Sequence, residues 1–208
     1  MRPALRAEHG LLIGYLGGVA GTTWDWHEHY VGVGNQAPHV LIDLSALLVV
    51  GVLGFSHWSR YSRTARITIY YLLVAIALIA LAPYALMLTI PHSQLMANLM
   101  SWEMTRGALL LEGPFVGLAA WVAWRWAELS RVTVLRIVAA GGVVVVAAAS
   151  VWDLYWHQTH PMELGTSMNM MTLPPHQLIM LGFAAGLIAS AATLVAMSRL
   201  PEPTTNRA

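Results

Sequence analysis

Runs of about 20 apolar residues recur along this 208-residue chain, and they constrain its fold more than any other feature. A helix needs about 20 mainly apolar residues to cross the hydrocarbon core of a bilayer. Charged residues make up only 10% of the chain, against about 25% in an ordinary soluble domain. The sequence therefore predicts an all-α integral membrane protein rather than a soluble globule or a disordered chain.

The apolar runs divide the chain into six transmembrane helices that form one transmembrane domain over residues 1–208, with a cytoplasmic tail at 199–208. The predicted spans are 10–30, 38–57, 67–90, 107–127, 133–157 and 175–198. All 11 basic residues are arginine, and only Arg106 falls on the opposite side of this topology from the other ten. The positive-inside rule makes the arginine-rich side cytoplasmic, so we expect both termini inside. The net charge of +1 gives no support for nucleic-acid binding.

The first and fifth spans end in the same motif, W-D-x-x-x-H, and in each case the next span opens with Pro-His. Spans 1–2 and spans 5–6 are therefore predicted to form two hairpins that carry the same set of polar residues, which makes the hairpin an internal repeat. The first copy supplies Asp25, His29 and His39, and the second supplies Asp153, His157 and His176.

Each copy has the residue types of a metal site. An Asp and a His four residues apart lie on one helix face, and a His at the start of the returning helix can meet them across the hairpin. A helix N-terminus disfavours a cation, which keeps that imidazole neutral and able to bind metal. Asp43 and His160 are candidates for additional ligands. The alternative interpretation is a set of interfacial polar side chains that extend to water.

Two imidazoles and a carboxylate suit copper, zinc or non-haem iron. The chain has no cysteine, which excludes thiolate sites, but seven of its 11 methionines fall in the two long connections on the side opposite the arginines. Thioethers favour Cu(I), although methionines also form adaptable apolar surfaces. We therefore favour copper, with zinc and iron as alternatives.

These paired hairpins resemble the C subunit of the copper membrane monooxygenases, the particulate methane and ammonia monooxygenase family. That subunit carries a D-x-x-x-H motif followed by a proline-preceded histidine, and then a related set in which Asn commonly replaces Asp. Asp153 stands where Asn is expected, the first loop is shorter than usual and the second is longer. The resemblance implies copper near the outer face, partner membrane subunits and oxidation of a small substrate with O2.

Three functions are consistent with the sequence. The first is a copper-binding subunit of a membrane monooxygenase-like complex in a bacterial or archaeal plasma membrane. The second is a zinc-dependent intramembrane hydrolase, similar to the membrane ceramidase class, in which Glu112 or Asp43 serves as the general base. The third is a non-catalytic subunit that has a structural role or handles copper. We favour the first, and with it an enzymatic role for the complex.

Two further predictions concern packing and exposure. Small residues at helical spacing predict faces for close helix packing. They are Gly10, Gly14, Gly17 and Gly21 in the first span, and Gly182 and Gly186 in the sixth. His27 and Glu28 point away from Asp25 around the helix, so we expect both side chains to be solvated.

Overall fold

The computed structural model describes residues 3–31, 37–87, 102–129, 134–159 and 174–198, and all the regular structure in these ranges is helical. A short 3-10 helix at Trp58–Arg60 separates the second and third α-helices. The six α-helices are α1 (Pro3–Val31), α2 (Ala37–Ser56), α3 (Arg63–Met87), α4 (Trp102–Leu129), α5 (Val134–Thr159) and α6 (Pro174–Ser198). The predicted all-α fold is confirmed for the described residues, and each predicted span overlaps one helix.

Three of the described helices are long and apolar enough to cross a membrane, namely α2, the Val134–Asp153 part of α5, and α6. By length and composition, the described residues therefore support a membrane protein and three of the six predicted spans. Both returning helices carry the predicted prolines in their first turn, with Pro38 second in α2 and Pro174 opening α6. Proline is favoured there because the first helical N–H groups have no acceptor within the helix.

The two repeated hairpins, α1–α2 and α5–α6, contact each other mainly through α1 and α6, while α3 packs on α2 and α4. Within the first hairpin, glycines of α1 face side chains of α2. A Cβ atom at Gly14 would lie 2.7 Å from a Val49 methyl group, and one at Gly17 would lie 2.6 Å from the Ser45 hydroxyl. The predicted small-residue face of α1 is therefore confirmed.

In the second hairpin, the backbones of α5 and α6 touch. A Cβ atom at Gly142 would lie 2.6 Å from the Gly182 carbonyl oxygen, and one at Gly182 would lie 2.8 Å from the Gly142 carbonyl oxygen. Only glycine permits this separation. The predicted glycine face of α6 is confirmed as well, with its partner on α5.

Two aromatic rings fill the contact between the hairpins. Tyr15 of α1 lies against Gly186, and Phe183 of α6 lies against Gly18, so each ring occupies the space that a Cβ atom would need. The rings meet edge to face with 6.4 Å between their centroids. The Tyr15 hydroxyl donates to the Ala139 carbonyl oxygen of α5. Three helices from both hairpins are thus joined at one fully buried cluster.

We predict that Gly186→Ala destabilises the protein, because the added methyl group would overlap the Tyr15 ring. Overpacking of this kind costs about 1–3 kcal/mol. The matched control is Gly141→Ala, where a Cβ atom meets no atom within 4 Å. That change should leave stability equal or higher, because alanine is the better helix former. Thermal unfolding of the purified protein in detergent measures both, and equal midpoints for the two variants would contradict the prediction.

The bundle has two chemically different ends. The histidine end carries the residues of the repeated motif. The arginine end is defined by Arg60, Arg63, Arg66, Arg125 and Arg136. There Arg136 Nε lies 3.0 Å from Glu8 Oε1, and its guanidinium stacks over Trp126 at 5.7 Å from the ring centroid. The Glu8 side chain is 1% exposed and that of Arg136 is 18% exposed, so this ion pair joins α1 to α5 in largely buried surroundings.

Candidate metal centre

The last turns of α1 and the first turn of α2 bring together the first carboxylate and the returning histidine. His39 Nε2 lies 3.2 Å from Asp25 Oδ1. The Asp25 side chain is 7% exposed and that of His39 is 39% exposed. The pair follows from the hairpin geometry, since α2 begins at Ala37 and Pro38 lies in its first turn, so that the next side chain, His39, faces α1.

The second hairpin repeats this arrangement. His176 Nδ1 lies 3.5 Å from Asp153 Oδ1, and their side chains are 12% and 21% exposed. Asp153 sits near the end of α5 and His176 in the first turn of α6. The structure thus places the predicted carboxylate and returning histidine together in both copies of the repeat.

His29 and His157 lie on α1 and α5, one turn beyond Asp25 and Asp153, but their side chains lie outside the described part of the structure. Residues four apart on a helix are neighbours on one face, so their predicted place beside the two pairs stays a prediction. Asp43, on α2, is half-buried one turn after His39. His160 and the methionines of the 88–101 and 160–173 segments also lie outside the described residues.

The two pairs are close to each other. The carboxylate of Asp25 acts electrostatically on that of Asp153, although they belong to different hairpins. Like charges in a poorly solvated site repel, and buried charges in proteins are normally paired or coordinate metal ions. The motif spacing alone predicts two separate sites and does not indicate this proximity. The internal repeat is the one sequence signal for it, because it puts both sets of polar residues at the same end of the bundle.

The prediction for Glu28 is wrong. Its side chain is buried at 8% exposure, and Oε1 accepts a 2.6 Å hydrogen bond from the indole Nε1 of Trp24. The Trp24–Glu28 spacing of one helical turn is the sequence signal for this contact, because side chains four residues apart are adjacent. His27 is exposed, as predicted.

The donor set of each pair fits a metal ion. Metal bonds to imidazole nitrogen and carboxylate oxygen are about 2 Å long, so two donors on one ion lie roughly 3–3.5 Å apart. The separations of 3.2 and 3.5 Å agree with this spacing. Among the side chains that the structure describes, no group of three or more metal-ligating residues is found. Each described pair supplies two donors, and the third predicted donor is His29 or His157.

Comparison of the chain with protein-family models, with curated proteins and with solved structures finds no match.

Proposed function

We propose that the chain is a copper-binding transmembrane subunit of a membrane monooxygenase-like complex that oxidises a small substrate with O2. The observation that carries the proposal is the repeated carboxylate–imidazole pair at the histidine end. Both pairs have separations suited to metal donors, 3.2 and 3.5 Å, and the two carboxylates are close enough to act on each other. Bound cations would offset this repulsion.

Copper is the metal we propose for two reasons. The second pair borders a methionine-rich connection, and a second such connection is predicted on the same side of the membrane. The hairpins also resemble the C subunit of copper membrane monooxygenases. Asp25, His29 and His39 would hold it in the first hairpin. Asp153, His157 and His176 would hold it in the second. Copper bound there would supply the activation of O2.

The protein's own residues orient the imidazole ligands and exclude water from the site. Asp25 lies 3.2 Å from the imidazole of His39 and can orient that ring, and Asp153 lies 3.5 Å from the imidazole of His176. The apolar lengths of α5 and α6 below the second pair limit access by water. A small apolar substrate fits these surroundings better than a polar one.

We also propose that all six helices span the membrane, with both termini cytoplasmic. The ten-to-one distribution of arginine between the two sides supports this topology. Partner membrane subunits complete the complex, which we place in a bacterial or archaeal plasma membrane.

Metal analysis of the natively purified complex tests the proposal, combined with identification of the chains that co-purify. We expect copper at one or two ions per chain, together with partner membrane subunits. The matched control is His27→Ala, which removes an exposed imidazole from the same turn of α1 and should leave the copper content unchanged.

Two results would contradict the proposal. Zinc in a chain that purifies alone would favour the intramembrane hydrolase, for which Asp43 or Glu112 is the candidate general base. A metal-free chain within a larger assembly would favour a structural subunit.

A further inference from the structure

The outward face of α3 is apolar, although it packs against no other described helix. Exposed side chains recur at helical spacing along this face, which we name the α3 stripe: Ile67, Tyr70, Tyr71, Val74 and Leu78. The opposite face of α3 supplies the core contacts, with Ile69 fully buried and Leu72 and Ile76 packed against the bundle core. A helix that faced water would carry polar residues on its exposed side.

Arginines stand at the start of the α3 stripe. Arg63 opens α3, and Arg66 follows about one turn later, on the edge of the same face. At a helix N-terminus a cation is unfavourable, because the peptide dipoles already place positive charge there. The first turn of α3 contains no acidic residue that would offset the two charges.

Two other arginines at this end, Arg125 and Arg136, form ion pairs within the protein. Arg125 lies 2.5 Å from Glu128, and Arg136 is bound to Glu8. For Arg63 and Arg66 the described residues provide no ion-pair partner. The arginine end therefore carries surplus positive charge directly above an exposed apolar stripe. This combination matches an amphiphile with an anionic head and a hydrocarbon tail.

We propose that the α3 stripe binds an anionic phospholipid, with the phosphate of the headgroup at Arg63 and Arg66 and an acyl chain along Ile67 to Leu78. The hydrocarbon tail accounts for the exposed apolar side chains, and the phosphate accounts for two arginines at the positive end of a helix. A free phosphate ion would engage the arginines alone and leave the stripe uncovered.

Native mass spectrometry of the purified full chain tests this inference. Phosphatidylglycerol and phosphatidylcholine with the same acyl chains are added in equal amounts, and the bound lipid is counted. We expect the chain to retain phosphatidylglycerol preferentially. The Arg63→Gln/Arg66→Gln variant should lose at least about tenfold in affinity for phosphatidylglycerol and little for phosphatidylcholine, because each basic residue near an anionic lipid contributes roughly a fivefold factor.

The control variant is Arg125→Gln/Glu128→Gln, which removes an ion pair at the same end without changing the net charge. It should change phosphatidylglycerol binding by less than about twofold. Competition with inorganic phosphate should not displace the lipid, and displacement would show that a free anion is the ligand. Equal retention of the two lipids by the wild-type chain, or unchanged binding in Arg63→Gln/Arg66→Gln, would overturn the proposal and leave the stripe as a surface for a partner subunit.

Discussion

His176→Ala is expected to remove more copper from the purified protein than His39→Ala. His176 is the less exposed of the two returning histidines, at 12% against 39%, so water competes less for its place. The second hairpin also has the longer connection, with four methionines and His160 as a spare ligand. The sequence predicts the same order for His157→Ala and His29→Ala.

The expected effect is large. Changes to residues that merely orient a metal ligand typically cost about 10–100-fold in affinity, and removal of a ligand should cost at least as much. Copper per chain, measured by elemental analysis after dialysis against a weak chelator, gives the comparison. Loss of copper in His39→Ala with retention in His176→Ala would reverse the ranking. Unchanged copper in both variants would mean that the pairs are interfacial structure and that the monooxygenase resemblance is one of fold alone.

Glu8→Gln is expected to destabilise the protein by up to about 3–5 kcal/mol, because it leaves a largely buried guanidinium without its counter-charge. The Glu8 carboxylate is 1% exposed, and it accepts a 3.0 Å hydrogen bond from Arg136 Nε. Glutamine keeps the shape of the side chain, so the change isolates the charge. The free energy of unfolding in mixed detergent micelles measures the loss.

A matched control and a double variant sharpen this test. Glu128→Gln removes the carboxylate of the exposed Arg125–Glu128 pair, where Glu128 is 53% exposed. It should cost less than about 1 kcal/mol, since exposed ion pairs contribute little. Glu8→Gln/Arg136→Met should recover part of the loss, because no charge then remains buried. Equal destabilisation by Glu8→Gln and Glu128→Gln would contradict the prediction.

The positions of the helices and of the carboxylate–histidine pairs were accessible from the sequence, because their signals are local. Apolar runs of helical length, prolines at helix starts and the repeated W-D-x-x-x-H motif each lie within one segment of the chain. Glycine spacing likewise indicated which faces of α1 and α6 pack closely. These features can be predicted without knowing which distant segments of the chain contact each other.

Contacts between residues far apart in the sequence cannot be predicted from such local signals. Nothing near Glu8 in the sequence indicates Arg136 as its partner. The two residues meet because α1 and α5 both pack on α6. The closeness of Asp25 and Asp153 depends equally on how two hairpins dock. Glu28 is different, since its contact with Trp24 is local and the spacing of four residues between them is a signal that the sequence contains.

The Glu8–Arg136 pair also has a consequence for biosynthesis. The two residues are 128 positions apart, so at about 5–20 residues per second a ribosome makes the arginine roughly 6–26 s after the glutamate. During that interval the Glu8 carboxylate has no arginine partner, and burying it unpaired would be costly. The N-terminal part of α1 must therefore stay in contact with water, or carry the carboxyl group protonated, until α5 has been made. The packing of α1 at the arginine end is completed only when α5 arrives.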